Sequence, residues 1–230
     1  LACSSNGRCG AGSMDSGMVG LDANRDVGPA PDRTCAAVEL GATRTTPNVI
    51  FVIDRWGSMD TDFDMGMTRW EVLETAITDM PDGIVFTLQS SMRFGFAMYS
   101  DQGGVPGCPD LETVPGALDN FGPIRTEYRM HSPGGDTPTG DSITAVLGML
   151  DTLAPERSEP TIFILATDGE PDTCEDGNDE VNGRREALEA VQAAFALDPP
   201  IRTYVISVGT DVGASHLQDI ANAGVGVAAG

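Results

Sequence analysis

The stretch NVIFVI, residues 48–53, decides the fold of this chain. It is an unbroken run of mainly β-branched and aromatic side chains, which is typical of a strand buried on both faces. Three further runs predict strands: residues 92–99, residues 161–166, which are typical of a second buried strand, and residues 202–208. The sequence thus predicts a sheet of four strands.

Amphipathic helical patterns alternate with these strands. The predicted helices cover residues 68–80, 137–153, 182–196 and 215–223. Thr68 with Glu71, and Ser215 with Gln218, have the spacing of capping boxes and mark two of the helix starts. Strand and helix alternation of this kind predicts an α/β fold with a doubly wound, mostly parallel sheet and helices on both faces.

Net charge limits the classes of partner. The 230 residues carry 13 basic and 35 acidic side chains, for a formal net charge of −22, and none of the basic residues is Lys. Nucleic-acid binding needs clustered cationic residues, so this class of partner is excluded. No run of 18 apolar residues is present, and a transmembrane segment is therefore not expected.

The first 46 residues differ in composition from the rest. They are rich in Gly, Ser, Asp and Pro and lack apolar periodicity, which predicts a flexible tether. Residues 47–230 are predicted to be the folded domain and hold −21 of the net charge. The chain stops soon after the last predicted helix, so a final strand or helix is expected to be missing.

Five cysteines indicate an exported protein. Leu1-Ala2-Cys3 resembles the end of a bacterial lipoprotein signal, which implies lipidation of Cys3; a chance match of three residues is the alternative. Removing Cys3 leaves four cysteines, enough for two disulfides in an oxidising compartment. We expect the pairs Cys9–Cys35 and Cys108–Cys174, with independent thiols as the alternative for the second pair. The absence of a Cys-x-x-Cys pair argues against a zinc site.

Polar side chains follow each predicted strand. Asp54, Ser100-Asp101, Thr167-Asp168 and Thr210-Asp211 stand at the four carboxyl ends. Ligands of open parallel sheets bind at this edge, so the sequence predicts a binding site there. Asp and Thr also begin many loops without any ligand, and this alternative would be sufficient for a single strand.

Three loops at this edge resemble a known family. The loop 54–59 (DRWGSM) resembles the Asp-x-Ser-x-Ser loop of von Willebrand factor type A domains. The segment 134–140 (GGDTPTG) resembles that family's Thr-bearing loop, and 166–169 (ATDG) resembles its third loop. In the family these loops form a metal-ion-dependent adhesion site. The resemblance covers about residues 47–223, with the motifs in the family's order.

The resemblance implies a cation site. Ser58 and Thr137 would bind Mg²⁺, or Mn²⁺ or Ca²⁺, directly, while Asp54 and Asp168 would accept hydrogen bonds from its waters. The ion would then bind an acidic side chain of a partner protein. Trp56 stands where the family has its first Ser, and an indole cannot ligate a cation. The alternatives are a helix N-cap for Thr137 and a turn hydroxyl for Ser58.

Other acidic groups give weaker signals. The alternating acids at 60, 62 and 64 lack the downstream Glu of a calcium loop, and a solvated turn is favoured. Residues 168–180 hold seven acids and no base, which fits either an ion-binding loop or a soluble face.

An enzyme is not expected. Ser58 is not in a nucleophile elbow, and no His follows a strand in the sequence. We therefore expect a divalent-cation-dependent adhesion or protein-binding module of the cell envelope or extracellular space. Two alternatives are a degenerate scaffold that binds partners without metal and an accessory module of a multi-protein assembly.

Overall fold

A computed structural model describes residues 45–101, 107–209 and 213–228 of the chain. Its centre is a five-stranded sheet with the strand order β5-β4-β1-β6-β7, and β2 pairs with β3 in a separate small hairpin. The strands are β1 (Asn48–Asp54), β2 (Asp62–Asp64), β3 (Met67–Thr68), β4 (Arg93–Ser100), β5 (Asp110–Ala117), β6 (Thr161–Thr167) and β7 (Arg202–Ser207).

The sheet is mostly parallel, as the sequence predicts. β1 lies in the centre and pairs in parallel with β4 on one side and with β6 on the other. β7 extends the parallel array beyond β6, and β5 is an antiparallel edge strand beside β4. All seven residues of β1 are buried, which explains its unbroken apolar run.

Helices cover both faces of the sheet. Their bounds are α1 (Arg69–Thr78), α2 (Ile84–Leu88), α3 (Phe121–Met130), α4 (Thr139–Gly148), α5 (Leu150–Leu153), α6 (Glu180–Phe195) and α7 (Ala214–Gly224). α1, α2 and α3 pack with Val49, Phe51 and Ile53 of β1 in one apolar cluster. α4 to α7 pack with Ile50 and Val52 in the other. Alternate residues of β1 thus enter opposite cores, which is the doubly wound arrangement.

The structure has two elements that the sequence did not predict, β5 and α3. Neither of them has a continuous apolar run. Val114 and Gly116 of β5 are buried, while Pro115 between them is exposed, and a Pro is tolerated because β5 is an edge strand. In α3 only Ile124 and Tyr128 are buried. Half-buried edge elements of this kind give a weak sequence signal.

Three helix predictions need correction. The first helix ends at Thr78, so Met80 lies outside it and is half exposed. The predicted helix 137–153 is two helices, interrupted at Met149. The capping box at Ser215 is wrong, because the N-cap residue of α7 is Gly213 and no side chain caps the helix. The Thr68–Glu71 capping box is confirmed.

Several predictions concern residues outside the described ranges. These are the tether, the lipidation of Cys3, the Cys9–Cys35 disulfide and the two rim residues Thr210 and Asp211. Among the described residues, no helix has the length and apolar character needed to cross a membrane.

Candidate functional site

The site lies where the chain changes direction in the sheet. From β1 the chain adds β4 and β5 on one side, then crosses to β6 on the other side. Loops at the carboxyl ends of β1 and β6 therefore diverge, and ligands of doubly wound sheets bind in the crevice between them. β1 ends at Asp54 and β6 at Thr167, which precedes Asp168.

Asp54 is completely buried at this crevice. Its Oδ1 accepts a hydrogen bond from the Trp56 backbone N–H at 2.9 Å, and its Oδ2 accepts one from the Thr167 hydroxyl at 2.6 Å. The pKa of Asp54 is raised to about 8. Burial is the largest cause, the Thr167 hydrogen bond partly opposes it, and the nearby Asp168 charge adds to the rise. At neutral pH this carboxyl group therefore carries a proton unless a cation or another positive group stabilises its charged form.

Asp168 has two partners from the segment that follows β1. The Ser58 hydroxyl donates to its Oδ1 at 2.7 Å, and the Arg69 guanidinium donates to its Oδ2 at 2.6 Å. Both Arg69 and Asp168 are buried. Arg69 is the first residue of α1, and its ion pair with Asp168 was not predicted from the sequence. The ion pair brings a positive charge next to the acidic rim.

Thr137 is fixed through its backbone. Its N–H donates to Asp172 Oδ2 at 2.9 Å, and its carbonyl accepts the Asp172 N–H at 3.0 Å. Its segment also pairs with the end of β4, because Asp136 and Asp101 exchange two backbone hydrogen bonds. Burial raises the pKa of Asp172 to about 6. Sequence reasoning placed Asp172 only among the seven acids of residues 168–180.

The Thr137 hydroxyl has no hydrogen-bond partner, although it is buried. The N-cap alternative is wrong for this residue, since the N-cap of α4 is Pro138 and no side chain caps that helix. An unpaired buried hydroxyl costs free energy, and a ligand bound at this hydroxyl would offset that cost. The side chains of Thr137, Ser58, Asp54 and Asp168 offer only oxygen atoms, and such a donor set suits a hard cation such as Mg²⁺.

Trp56 lies against this donor set. A Cβ atom added to Gly169 would be 2.5 Å from Trp56 Cε3 and 3.4 Å from Thr137 Oγ1. The indole ring is thus packed on the backbone after Asp168, beside the unpaired hydroxyl, and is half-buried. The Trp56 ring therefore points inward, toward the rim.

The predicted Cys108–Cys174 disulfide is confirmed, with a Cα–Cα distance of 5.4 Å. Cys174 lies in the segment that follows Asp168, and its N–H donates to Asp141 of α4 at 2.9 Å. Cys108 precedes the edge strand β5. The bond therefore ties the β6 side of the rim to the β5 side.

Two features of the surroundings bear on the sequence expectations. Asp62 and Asp64 belong to the hairpin strand β2 and are exposed, in accord with a solvated turn. His216 of α7 lines a small cavity with Thr167 and Gly169, so one His does lie close to a strand end. Burial lowers the pKa of His216, and its imidazole is neutral at pH 7.

Solved structures share this architecture. The PilB minor pilin from Streptococcus sanguinis has a TM-score of 0.58 at 15% identity, covering 83% of this chain and 57% of the pilin chain. The pilus adhesin SpaC from Lactobacillus rhamnosus GG has a TM-score of 0.53 at 16% identity, covering 72% of this chain and 25% of the adhesin. The SpRpn10 VWA domain has a TM-score of 0.53 at 13% identity, with coverages of 78% and 82%.

These likenesses identify the fold. No protein-family model matches the sequence, and no curated protein matches it. The chain spans just over half of the pilin and a quarter of the adhesin. The protein is a doubly wound α/β domain with acids and hydroxyls at its carboxyl rim. Its fold is that of a von Willebrand factor type A domain.

Proposed function

We propose that this domain is a non-enzymatic adhesion or protein-binding module that uses a divalent cation at the rim of its sheet. The observation that carries the proposal is the unpaired, buried Thr137 hydroxyl, which lies close to the Gly169 backbone that follows Asp168. A bound Mg²⁺, Mn²⁺ or Ca²⁺ would supply a positive centre able to bind a carboxylate of a partner protein.

Four side chains would have two different roles at this rim. The hydroxyls of Ser58 and Thr137 would hold the cation directly, and the carboxyl groups of Asp54 and Asp168 would orient its waters. The Ser58 hydroxyl donates a hydrogen bond to Asp168, so these two side chains of the proposed site are in direct contact. Asp172 fixes the Thr137 backbone from the opposite side.

Arg69 and Trp56 weaken this site. The buried Arg69 guanidinium neutralises the charge of Asp168, so less negative charge remains for a cation. Trp56 replaces a hydroxyl ligand with an indole that cannot bind a cation. We therefore propose cation binding that is weaker than a site with all its hydroxyls would give.

An acidic partner fits the site better than a basic one. Few direct carboxylate ligands leave the cation electron-poor, so a Glu or Asp from a protein partner would complete its coordination. Structural neighbours described as a minor pilin and a pilus adhesin support a surface role, although each is a different and longer protein. The Cys108–Cys174 disulfide supports export to the cell envelope or extracellular space.

The proposal is tested by titrating Mg²⁺, Mn²⁺ and Ca²⁺ into the full chain by calorimetry and thermal denaturation. We expect binding that Thr137→Ala weakens by at least about tenfold, which corresponds to about 1.4 kcal/mol. Thr144→Ala, at an exposed position of α4, is the matched control and should bind like the parent. Equal affinities for the Thr137 and Thr144 variants would contradict the role of the rim.

Partner binding needs a separate measurement. The immobilised chain should retain cell-surface protein in Mg²⁺ and release it in chelator, and Thr137→Ala should retain less. Retention that is unaffected by chelator would support the alternative of a degenerate scaffold that binds without metal. Reduced cysteines throughout the isolated protein would instead favour an intracellular accessory module.

A further inference from the structure

Glu112, Glu127 and His131 form a second cluster of metal-ligand side chains, outside the rim. One ligand atom from each lies within 4.8 Å of the others. Among the described residues, no other three His, Cys, Asp or Glu side chains converge this closely. We propose that this cluster binds a first-row transition ion of the Zn²⁺ class, independently of any cation at the rim.

Two elements bring these residues together. Glu112 is on β5 opposite Met98 of β4, and directly opposed residues of antiparallel strands share a face. Met98 belongs to the core on the α3 side, so Glu112 faces α3. Glu127 is in the last turn of α3 and His131 is the C-cap residue of that helix, and their side chains are in direct contact.

The distances are close to those of a coordinated ion. His131 Nε2 and Glu127 Oε1 are hydrogen-bonded at 3.0 Å, and a bound ion would replace this hydrogen bond. Neighbouring ligand atoms of a tetrahedral zinc, with bonds of about 2.0–2.1 Å, are about 3.3 Å apart. The three ligand atoms lie within 4.8 Å of one another, so the side chains would have to move closer together to bind one ion. The three side chains are half-buried, so a fourth position remains open to water.

A buried arginine holds the two elements in this arrangement. The Arg55 guanidinium donates to Asp110 of β5 at 2.8 Å and to the Ser132 carbonyl at 3.3 Å. Asp110 is two residues before Glu112, and Ser132 directly follows His131. Arg55 is 5% exposed. The placement of Glu112 relative to His131 is thus fixed by contacts that are independent of the cluster.

Charge also favours an ion here. The two carboxylates carry like charges, and no hydrogen bond or ion pair joins the Glu112 side chain to the other described residues. A divalent cation would offset these like charges. The imidazole nitrogen selects a transition ion over Mg²⁺ or Ca²⁺, which prefer oxygen ligands. The two sites therefore differ in metal class, one all-oxygen and one with a nitrogen ligand.

The ion would also order the approach to the rim. From His131 the chain runs through residues 132–136 to Thr137, and the Gly134 N–H donates to the Arg55 carbonyl at 2.7 Å. Fixing the end of α3 would restrict this segment. The inferred ion therefore stabilises the loop that carries the Thr137 hydroxyl.

The test is a Zn²⁺ titration of the full chain in saturating Mg²⁺, followed by the histidine ring resonances in NMR spectra. The chain has only two His, so His216 serves as an internal control. We expect Zn²⁺ to shift or broaden the His131 resonances and to leave those of His216 in place. Unchanged His131 resonances at saturating Zn²⁺ would overturn the proposal.

Calorimetry on variants gives a second measure. His131→Ala and Glu112→Gln should each lower zinc affinity by at least about tenfold, as expected for the loss of a ligand. Glu189→Gln, at an exposed Glu of α6, is the control and should bind like the parent. Each variant keeps all five cysteines, so any zinc held by thiols is the same in all of them. Equal affinities across the three variants would also overturn the proposal.

Discussion

The Arg69 guanidinium donates to the Asp168 carboxylate at 2.6 Å, and this ion pair joins the start of α1 to the end of β6 across 99 residues of sequence. The Arg69 side chain is 8% exposed and that of Asp168 is fully buried. The Asp168 carboxylate also accepts a hydrogen bond from the Ser58 hydroxyl. A cation bound at the proposed rim site would therefore compete with Arg69 for the same negative charge.

Replacing Arg69 by Gln should destabilise the cation-free domain and strengthen cation binding. Loss of one partner of a buried ion pair leaves a charge without compensation and costs about 3–5 kcal/mol. Mg²⁺ should restore part of this loss, since it can stabilise Asp168 in place of the guanidinium. Chemical denaturation in chelator and in Mg²⁺ measures both effects.

The control for this variant is Arg129→Gln. Arg129 forms an exposed ion pair with Glu74, and such pairs contribute at most about 1 kcal/mol. A similar loss of stability in the two variants, with no recovery of the Arg69 variant in Mg²⁺, would show that Arg69 and the cation do not compete.

The stability of the cation-free domain should fall as pH rises from 6 to 8. The folded-state pKa of Asp54 is about 8, far above its usual value of 3.8, so in this window the folded form holds a proton that the unfolded form has lost. Folding stability then decreases with pH by up to about 1.4 kcal/mol per unit. The raised pKa of Asp172, about 6, adds to the decrease mainly below this window.

The variant Asp54→Asn isolates the contribution of Asp54 to this pH dependence of stability. An Asn keeps the size of the side chain and cannot titrate, so the decrease between pH 6 and 8 should be smaller by about 2–3 kcal/mol. Urea denaturation in chelator at pH 6, 7 and 8 provides the comparison. Parallel pH profiles for the parent and the variant would mean that Asp54 is charged in the folded, cation-free protein.

Sequence reasoning succeeded where the signal was continuous along the chain. The runs 48–53 and 161–166 predicted the central strands because strands buried on both faces are apolar throughout. The edge strand β5 and helix α3 bury few side chains, and their sequences resemble those of loops. The central strands could therefore be predicted from the sequence, but the edge elements β5 and α3 could not.

The residues of the candidate site could likewise be predicted only in part. Asp54 and Asp168 could be identified because each directly follows a buried strand. Arg69 could not, since its ion pair forms only when α1 packs beside β6, and nothing around residue 69 indicates this. The cluster of Glu127 and His131 gave a signal in their four-residue spacing, but Glu112 joins them only through the antiparallel pairing of β5.

Removing the Cys108–Cys174 disulfide should lower stability by about 2–4 kcal/mol, because the bond closes a loop with a sequence separation of 66 residues. The double variant Cys108→Ser with Cys174→Ser should also bind Mg²⁺ more weakly, as the segment after Asp168 loses its tie to β5. Denaturation and calorimetry measure the two effects. Cation affinity that is unchanged in the double variant would show that the rim is held by its hydrogen bonds alone.

Trp56 is the residue that most directly limits cation binding. Its indole packs on Gly169 beside the Thr137 hydroxyl and occupies the place of a family hydroxyl ligand. We expect millimolar Mg²⁺ to stabilise the parent only slightly, whereas a cation at 100 times its dissociation constant would add about 2.7 kcal/mol. Trp56→Ser should restore a hydroxyl and tighten binding by at least about tenfold, as measured by calorimetry.

Trp56→Phe keeps an aromatic ring without a hydroxyl and should bind as weakly as the parent. Equal, tight binding by parent and Ser variant would show that Trp56 is no impediment, and no binding by either would favour the metal-free scaffold.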